Sequence, residues 1–275
     1  MAPVNTARAC DGTGVNLRTR RLPSSDHTGD GMPALAASRP PTGPARAEWT
    51  QAVREIARAA LRPTRRNILH WTSWAVALAI EITMVLVLRD GQVYEFEQRI
   101  TRALQDVPRS EVIFRATSGA TNTLSPPFLT AFAGVVLITF LFGRRLVASL
   151  LFLTFPLHVL VQFPKALVDR PRPSSDFSGI EGVGGAMSFP SGHSEFVVTF
   201  YGFLAFLLAR RISSGWGRAA VVGAWILFAL ATGFGRVSEG RHWPLDVLTS
   251  YVVGLALLSG MVWLYSSIRA ARSSP

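Results

Sequence analysis

Six stretches of almost unbroken apolar residues run along the chain, at about 68–88, 125–142, 146–164, 194–210, 219–235 and 247–266. Each approaches the ~20 residues that a helix needs to cross the hydrocarbon core of a bilayer. In lipid the backbone must satisfy its own hydrogen bonds, and uninterrupted helices do so. The pattern therefore predicts an all-α, polytopic membrane protein: a bundle of six transmembrane helices over 68–266. Before them, residues 1–45 are rich in Ala, Pro, Gly, Ser and Arg with few large apolar side chains, a composition that predicts a disordered N-terminal tail. From Trp49 the pattern turns helical. Trp49, Val53, Ile56 and Ala60 form a stripe, with Arg54, Arg58, Arg62, Arg65 and Arg66 off it, which predicts an amphipathic interfacial helix over 46–67. The segment 89–124 is mixed in charge, and Phe96, Ile100, Ala103, Leu104 and Val107 predict a helix lying along the membrane surface.

Charge orients the bundle. Arg144 and Arg145 lie between the second and third blocks, Arg210, Arg211 and Arg218 between the fourth and fifth, and Arg269 and Arg272 after the sixth. None of these segments carries an acidic residue. The positive-inside bias makes them cytoplasmic, with both termini inside, including a short tail at 267–275, and the other loops outside an integral plasma membrane protein. The net charge of +11 is thus spread over membrane boundaries rather than gathered in a nucleic-acid surface, and no nucleic-acid partner is expected. Cys10 is the single cysteine, so neither an intrachain disulfide nor a cysteine metal site is expected. Two inverted halves, as in many transporters, are not visible.

Three motifs fall in the last two outer loops. Lys165, the only lysine in the chain, precedes Arg172-Pro173. Arginine can grip two phosphate oxygens with its fork while lysine acts as a point charge. Pro190-Ser191-Gly192-His193 immediately precedes the fourth apolar block. Its amides would lie at a helix start, which attracts phosphate, with Gly192 allowing close approach and Ser191 adding a hydroxyl. His193 there is placed to give a proton to a leaving oxygen. Finally Arg236 is followed by His242, just before Pro244 and so in the first turn of the sixth helix, and by Asp246 about one turn on. Asp246 can accept the Nδ1 proton of His242, leaving Nε2 as a nucleophile. Taken singly, each motif also fits a plain helix start or a basic membrane boundary. The basic residues, however, lie on the face where the inside rule does not predict them.

Lys-x6-Arg-Pro, Pro-Ser-Gly-His and Arg-x5-His-x3-Asp, in this order at the outer ends of six membrane helices, resemble the type 2 phosphatidic acid phosphatase (PAP2) family. The likeness in architecture covers about 68–266, and the specific motifs lie within 165–246. The resemblance implies a metal-independent lipid phosphatase with no cofactor. His242 would form a phosphohistidine, Asp246 would orient it, and His193 would protonate the leaving alcohol. Lys165, Arg172, Ser191, Gly192 and Arg236 would hold the phosphate. The family commonly has serine before the third-motif arginine, whereas here the residue is Gly235, which removes one possible hydroxyl contact.

Other polar residues are read more plainly: Glu81 as packing or a helix-to-helix hydrogen bond, His158 as a core histidine, and Asp169, Arg170, Asp176 and Glu181 as solvated loop. Glu195 and Arg241, beside the motif histidines, can tune them or point elsewhere. The expected partners are the bilayer and a lipid phosphate, either a polyprenyl diphosphate or a phosphatidate-like lipid, with the oligomeric state left open. A phosphotransferase passing the phosphoryl group to another acceptor, and a carrier or flippase that binds headgroups without cleaving them, are the alternatives.

Overall fold

The computed structural model describes residues 51, 54, 57–58, 64–108, 110–173 and 187–273. The tail expected over 1–45, nearly all of the interfacial helix expected over 46–67, and Asp176 and Glu181 lie outside the described residues. Eight helices follow in order: α1 (Arg65–Leu88), α2 (Glu95–Gln105), α3 (Glu111–Thr121), α4 (Pro126–Leu141), α5 (Arg145–Val161), α6 (Gly192–Ala209), α7 (Gly215–Ser238) and α8 (Pro244–Ser273). Several begin on side-chain caps that take up a first-turn amide. Thr64 Oγ1 accepts from Asn67 at 3.2 Å, Ser125 Oγ from Phe128 at 3.4 Å, and Ser214 Oγ from Gly217 at 3.0 Å.

Among the described residues five helices are long and apolar enough to cross a membrane, and the count reaches six if α3 and α4, bent by 60° at their junction, are taken together as one broken span. The bend corrects the second expected block. With 16 residues α4 is about 24 Å long, short of the ~30 Å hydrocarbon core, and α3 supplies the remainder beyond the break. The chain over 89–124 thus holds the expected helix, as α2, and a second one, α3, that was not expected.

The α2 helix packs its polar face inward and leaves its apolar stripe outward, as a helix laid on a membrane surface requires. Its polar residues Glu97 and Thr101 are buried, while Phe96, Ile100 and Val107 remain exposed. In a membrane setting apolar side chains meet lipid at no cost, so the polar face is the one that must find partners inside.

Lipid is as apolar as leucine, so close packing rather than burial from water holds the spans together. Phe196, Phe200 and Phe203 of α6 interlock with Phe128 and Phe132 of α4 and with Met261 and Tyr265 of α8. A Cβ on Gly254 of α8 would meet Val198 Cβ at 2.9 Å, so glycine is what lets α8 come this close to α6. The helices alternate in direction. The starts of α6 and α8 and the ends of α5 and α7 consequently share one end of the bundle, and that is where the motifs lie.

Candidate active site

The Pro-Ser-Gly-His motif starts α6 as expected, with Ser191 as the residue before its first turn. Ser191 is fully buried. Its amide donates to Ser250 Oγ at 2.8 Å, and its hydroxyl lies 3.0 Å from Ser194 Oγ. Gly192 has a packing reason beside the one expected. A Cβ there would sit 3.0 Å from Gln162 Oε1 and 3.1 Å from His158 Cε1, so glycine serves the packing of α6 against α5 as well as any ligand. His193 is half-buried, within electrostatic reach of Arg236, His242 and Lys165.

His242 lies in the turn between α7 and α8, two residues before Pro244, and not in the first turn of a helix. Its Nδ1 lies 2.6 Å from the carbonyl oxygen of Ser188, while the nearer oxygen of Asp246 is 3.6 Å away. A carbonyl can only accept, so Nδ1 must carry the proton and the neutral ring keeps its lone pair on Nε2. The expected tautomer is present, but the backbone of Ser188 rather than Asp246 sets it. Asp246 instead accepts from the Trp243 amide at 2.9 Å and stays close enough to stabilise positive charge on the ring. Burial pushes the His242 pKa down to about 4, reinforced by the Lys165 and Arg172 charges and opposed by Asp246.

The three cations converge on the same place. Lys165, at the end of the α5 span, donates to the Pro190 carbonyl at the foot of α6. Arg172 Nη1 donates to the Arg241 carbonyl at 3.1 Å, which ties the first motif to the third. Arg236 is 7 % exposed, donates to Ser118 Oγ, lies 2.8 Å from Glu239 Oε2 and has its guanidinium 5.6 Å from the centre of the Phe114 ring. Its Nε has no protein partner and is buried, leaving one directed donor unspent. Phe114 and Ser118 belong to α3, so the bent second span also reaches the site. Gly235 faces Phe114 with its would-be Cβ 3.5 Å away, enough room for the missing serine.

Arg170 was expected in a solvated loop; it does lie in a loop, but its side chain is not solvated. It is fully buried. Nη1 donates to Asp246 Oδ1, Nη2 to Glu97 Oε2, and Nε to the Gln92 carbonyl at 3.0 Å. Glu97 in turn accepts from the Leu245 amide at 3.1 Å, in the first turn of α8, and from the Tyr94 amide at 3.2 Å. A chain of contacts thus runs from His242 through Asp246 and Arg170 to Glu97 on α2. The signal for this in the sequence is Glu97 and Thr101, spaced four apart and so on one helical face, a polar stripe beside the apolar one.

Glu195 does not touch His193. Its Oε2 lies 2.6 Å from His158 Nδ1 and its Oε1 accepts from Thr199 at 2.7 Å, while His158 Nε2 is 3.1 Å from Thr123 Oγ1. His158 is a core histidine as expected, though with an acidic partner that was not foreseen. Glu81 makes no hydrogen bond among the described residues. It lines a cavity of about 750 Å³ between α1, α5 and α8, otherwise walled by apolar side chains including Phe163 and Leu167 beside Lys165. Among the described residues no group of three or more His, Cys, Asp or Glu is arranged to hold a metal ion.

Two imidazoles, a carboxylate and three cations thus gather at one end of a bundle of apolar helices. Residues 146–270 match the family model of the PAP2 superfamily. The fold is similar to the crystal structure of the first transmembrane PAP2-type phosphatidylglycerolphosphate phosphatase from Bacillus subtilis. The TM-score is 0.53 at 22% identity, over 68% of this chain and 94% of that one. Over 76 residues the chain is 33% identical to the bacitracin transport permease protein BcrC of Bacillus licheniformis, which is 28% of this chain and 32% of the relative. The match spans about a third of that relative's length.

Proposed function

We propose that the protein is a membrane lipid phosphatase acting without a metal ion at the extracytoplasmic leaflet. The observation that carries this reading is the Nδ1 contact of His242 with the Ser188 carbonyl, which leaves Nε2 as the lone-pair atom of a ring with Lys165 and Arg172 close by. Nε2 attacks phosphorus, the bond to the lipid oxygen breaks, and His193 gives that oxygen its proton. Positive charge on the phosphorylated ring is met by Asp246. Water then attacks, His193 takes its proton, and the P–N bond breaks to release inorganic phosphate. Lys165, Arg172 and Arg236 stabilise the charge on the transferring group, with Ser191 and Gly192 at the start of α6.

The apolar cavity beside Lys165 supports a substrate with a long chain, entering between α1 and α5 while its headgroup reaches the cations. A polyprenyl diphosphate is the preferred substrate and phosphatidate-like lipids the next. The arginines gathered at the far ends of the spans support placing that end in the cytoplasm and the site outside. A carrier that binds headgroups without cleaving them is the second reading, favoured by the transport permease name of one relative. Purified protein in detergent with EDTA should release phosphate from polyprenyl diphosphate, phosphatidate or phosphatidylglycerophosphate, and His242→Ala should not. Loss of turnover on metal removal would contradict the proposal, and lipid movement undiminished in His242→Ala would favour the carrier.

A further inference from the structure

At the end of the bundle opposite His242, the ends of α4, α5, α6 and α8 enclose a second cavity of about 1070 Å³. Six arginines line it: Arg144, Arg145, Arg210, Arg211, Arg269 and Arg272. No aspartate or glutamate among the described residues does. Toward the middle of the bilayer its wall becomes apolar, with Ile138, Leu151 and Leu207. The orientation bias explains why arginines lie on this side, but it acts through their number near the membrane and does not require them around one cavity.

Aromatic rings position part of this set. The Arg210 guanidinium lies 5.6 Å from the centre of the Phe206 ring and 5.5 Å from that of Tyr265, and Arg145 lies 5.9 Å from that of Phe140. Stacking on a ring face fixes the plane of a guanidinium while leaving its N–H edge for an anion. None of Arg144, Arg145, Arg210 and Arg211 forms an ion pair with a described carboxylate, in contrast to Arg170 and Arg236. No imidazole among the described residues lines the cavity. It has the charge to hold a phosphate but lacks the histidine pair found at the other end.

We propose that this cavity binds an anionic phospholipid of the adjoining leaflet. The phosphodiester is gripped by the arginines at the rim and an acyl chain lies along the Ile138–Leu207 wall. A free phosphate would satisfy the rim alone and leave the apolar wall uncovered, whereas an amphipathic anion matches both. Basic pockets between membrane helices recognise lipid headgroups by this combination.

The test uses the full chain in nanodiscs of phosphatidylcholine with or without phosphatidylglycerol, followed by a detergent wash and native mass spectrometry of retained lipid. Wild type should retain phosphatidylglycerol in preference to phosphatidylcholine, and excess inorganic phosphate should not displace it. Arg144→Lys, Arg145→Lys, Arg210→Lys and Arg211→Lys combined keep the charge that orients the protein but remove the fork, and retention should fall about tenfold. Leu207→Trp, which fills the apolar wall without changing charge, should also reduce it. His242→Ala should retain the lipid fully, which separates this site from catalysis. Equal retention of the two lipids, unchanged retention in both the lysine variant and Leu207→Trp, or displacement by inorganic phosphate would overturn the proposal.

Discussion

The two ends of the bundle use arginine in opposite ways. At the His242 end the buried guanidinium of Arg170 is divided between Asp246 and Glu97, and Arg236 lies against Glu239. At the other end six arginines ring a cavity that no described carboxylate lines. The first arrangement fixes positions. A buried charge that has lost its partner costs several kcal/mol, so each of these groups holds its neighbours in one geometry. The second leaves charge available, which suits orientation in the bilayer and an exchangeable ligand. Arginine content alone therefore does not reveal function, and the carboxylates beside Arg170 and Arg236 set these two apart from the arginines of the opposite cavity.

The largest expected effect isolates the chemistry at the first end. His242→Ala should lower turnover about 10⁴-fold or more, while thermal unfolding of the detergent-solubilised protein shows that the fold persists. Next comes the support beneath it. Arg170→Met strands two buried carboxylates and should destabilise the protein by about 3–5 kcal/mol, read from the unfolding transition. Arg170→Lys keeps the charge but loses the two-armed contact, and should lower kcat more than it raises KM. Arg211→Met at the opposite end should leave both stability and kcat unchanged within error. Equal sensitivity of Arg170 and Arg211 would break the comparison.

Titration gives a third and smaller effect. The His242 pKa is pushed down to about 4, so Nε2 keeps its lone pair well below the ordinary histidine range. The acid limb of kcat/KM should accordingly fall nearer 4 than 6.5. Stability follows the same sign: below 6.5 the unfolded chain takes up a proton that folded His242 refuses. This contribution, on the order of 3 kcal/mol, is present above 6.5 and fades as pH falls toward 4. His242→Gln should flatten that slope. The smallest effect is at Gly235. A side chain there would meet Phe114 at an ordinary 3.5 Å, so Gly235→Ser should change activity by no more than about twofold.

The spans and the motif residues were legible because each has a local signature, in apolar length for the helices and in fixed spacing for Lys165, Arg172, His193, Arg236, His242 and Asp246. The bend at Asn122–Ser125 was not, since α3 carries too few apolar residues to register as membrane-spanning until it is joined to α4. Arg170 and Glu97 were missed for another reason. Seventy-three positions separate them, and in a membrane protein the buried face of α2 is its polar one, so a search for apolar stripes looks at the wrong side. The tie between His242 and Ser188 was equally invisible, because a backbone carbonyl leaves no mark in the sequence. His158 and Glu195 pair across 37 positions, and neither belongs to a spaced pattern that would announce the other.

The central claim, that His242 attacks phosphorus through Nε2, is tested most directly by trapping the intermediate. Full-length protein mixed with ³²P-labelled lipid substrate and quenched in alkali, where a phosphorylated imidazole survives, should carry label on His242 when its peptides are sequenced by mass spectrometry. The label should build up when Asp246 and His193 are intact and be absent in His242→Ala. Turnover with no labelled enzyme at any quench time, or label on a residue other than His242, would contradict the account.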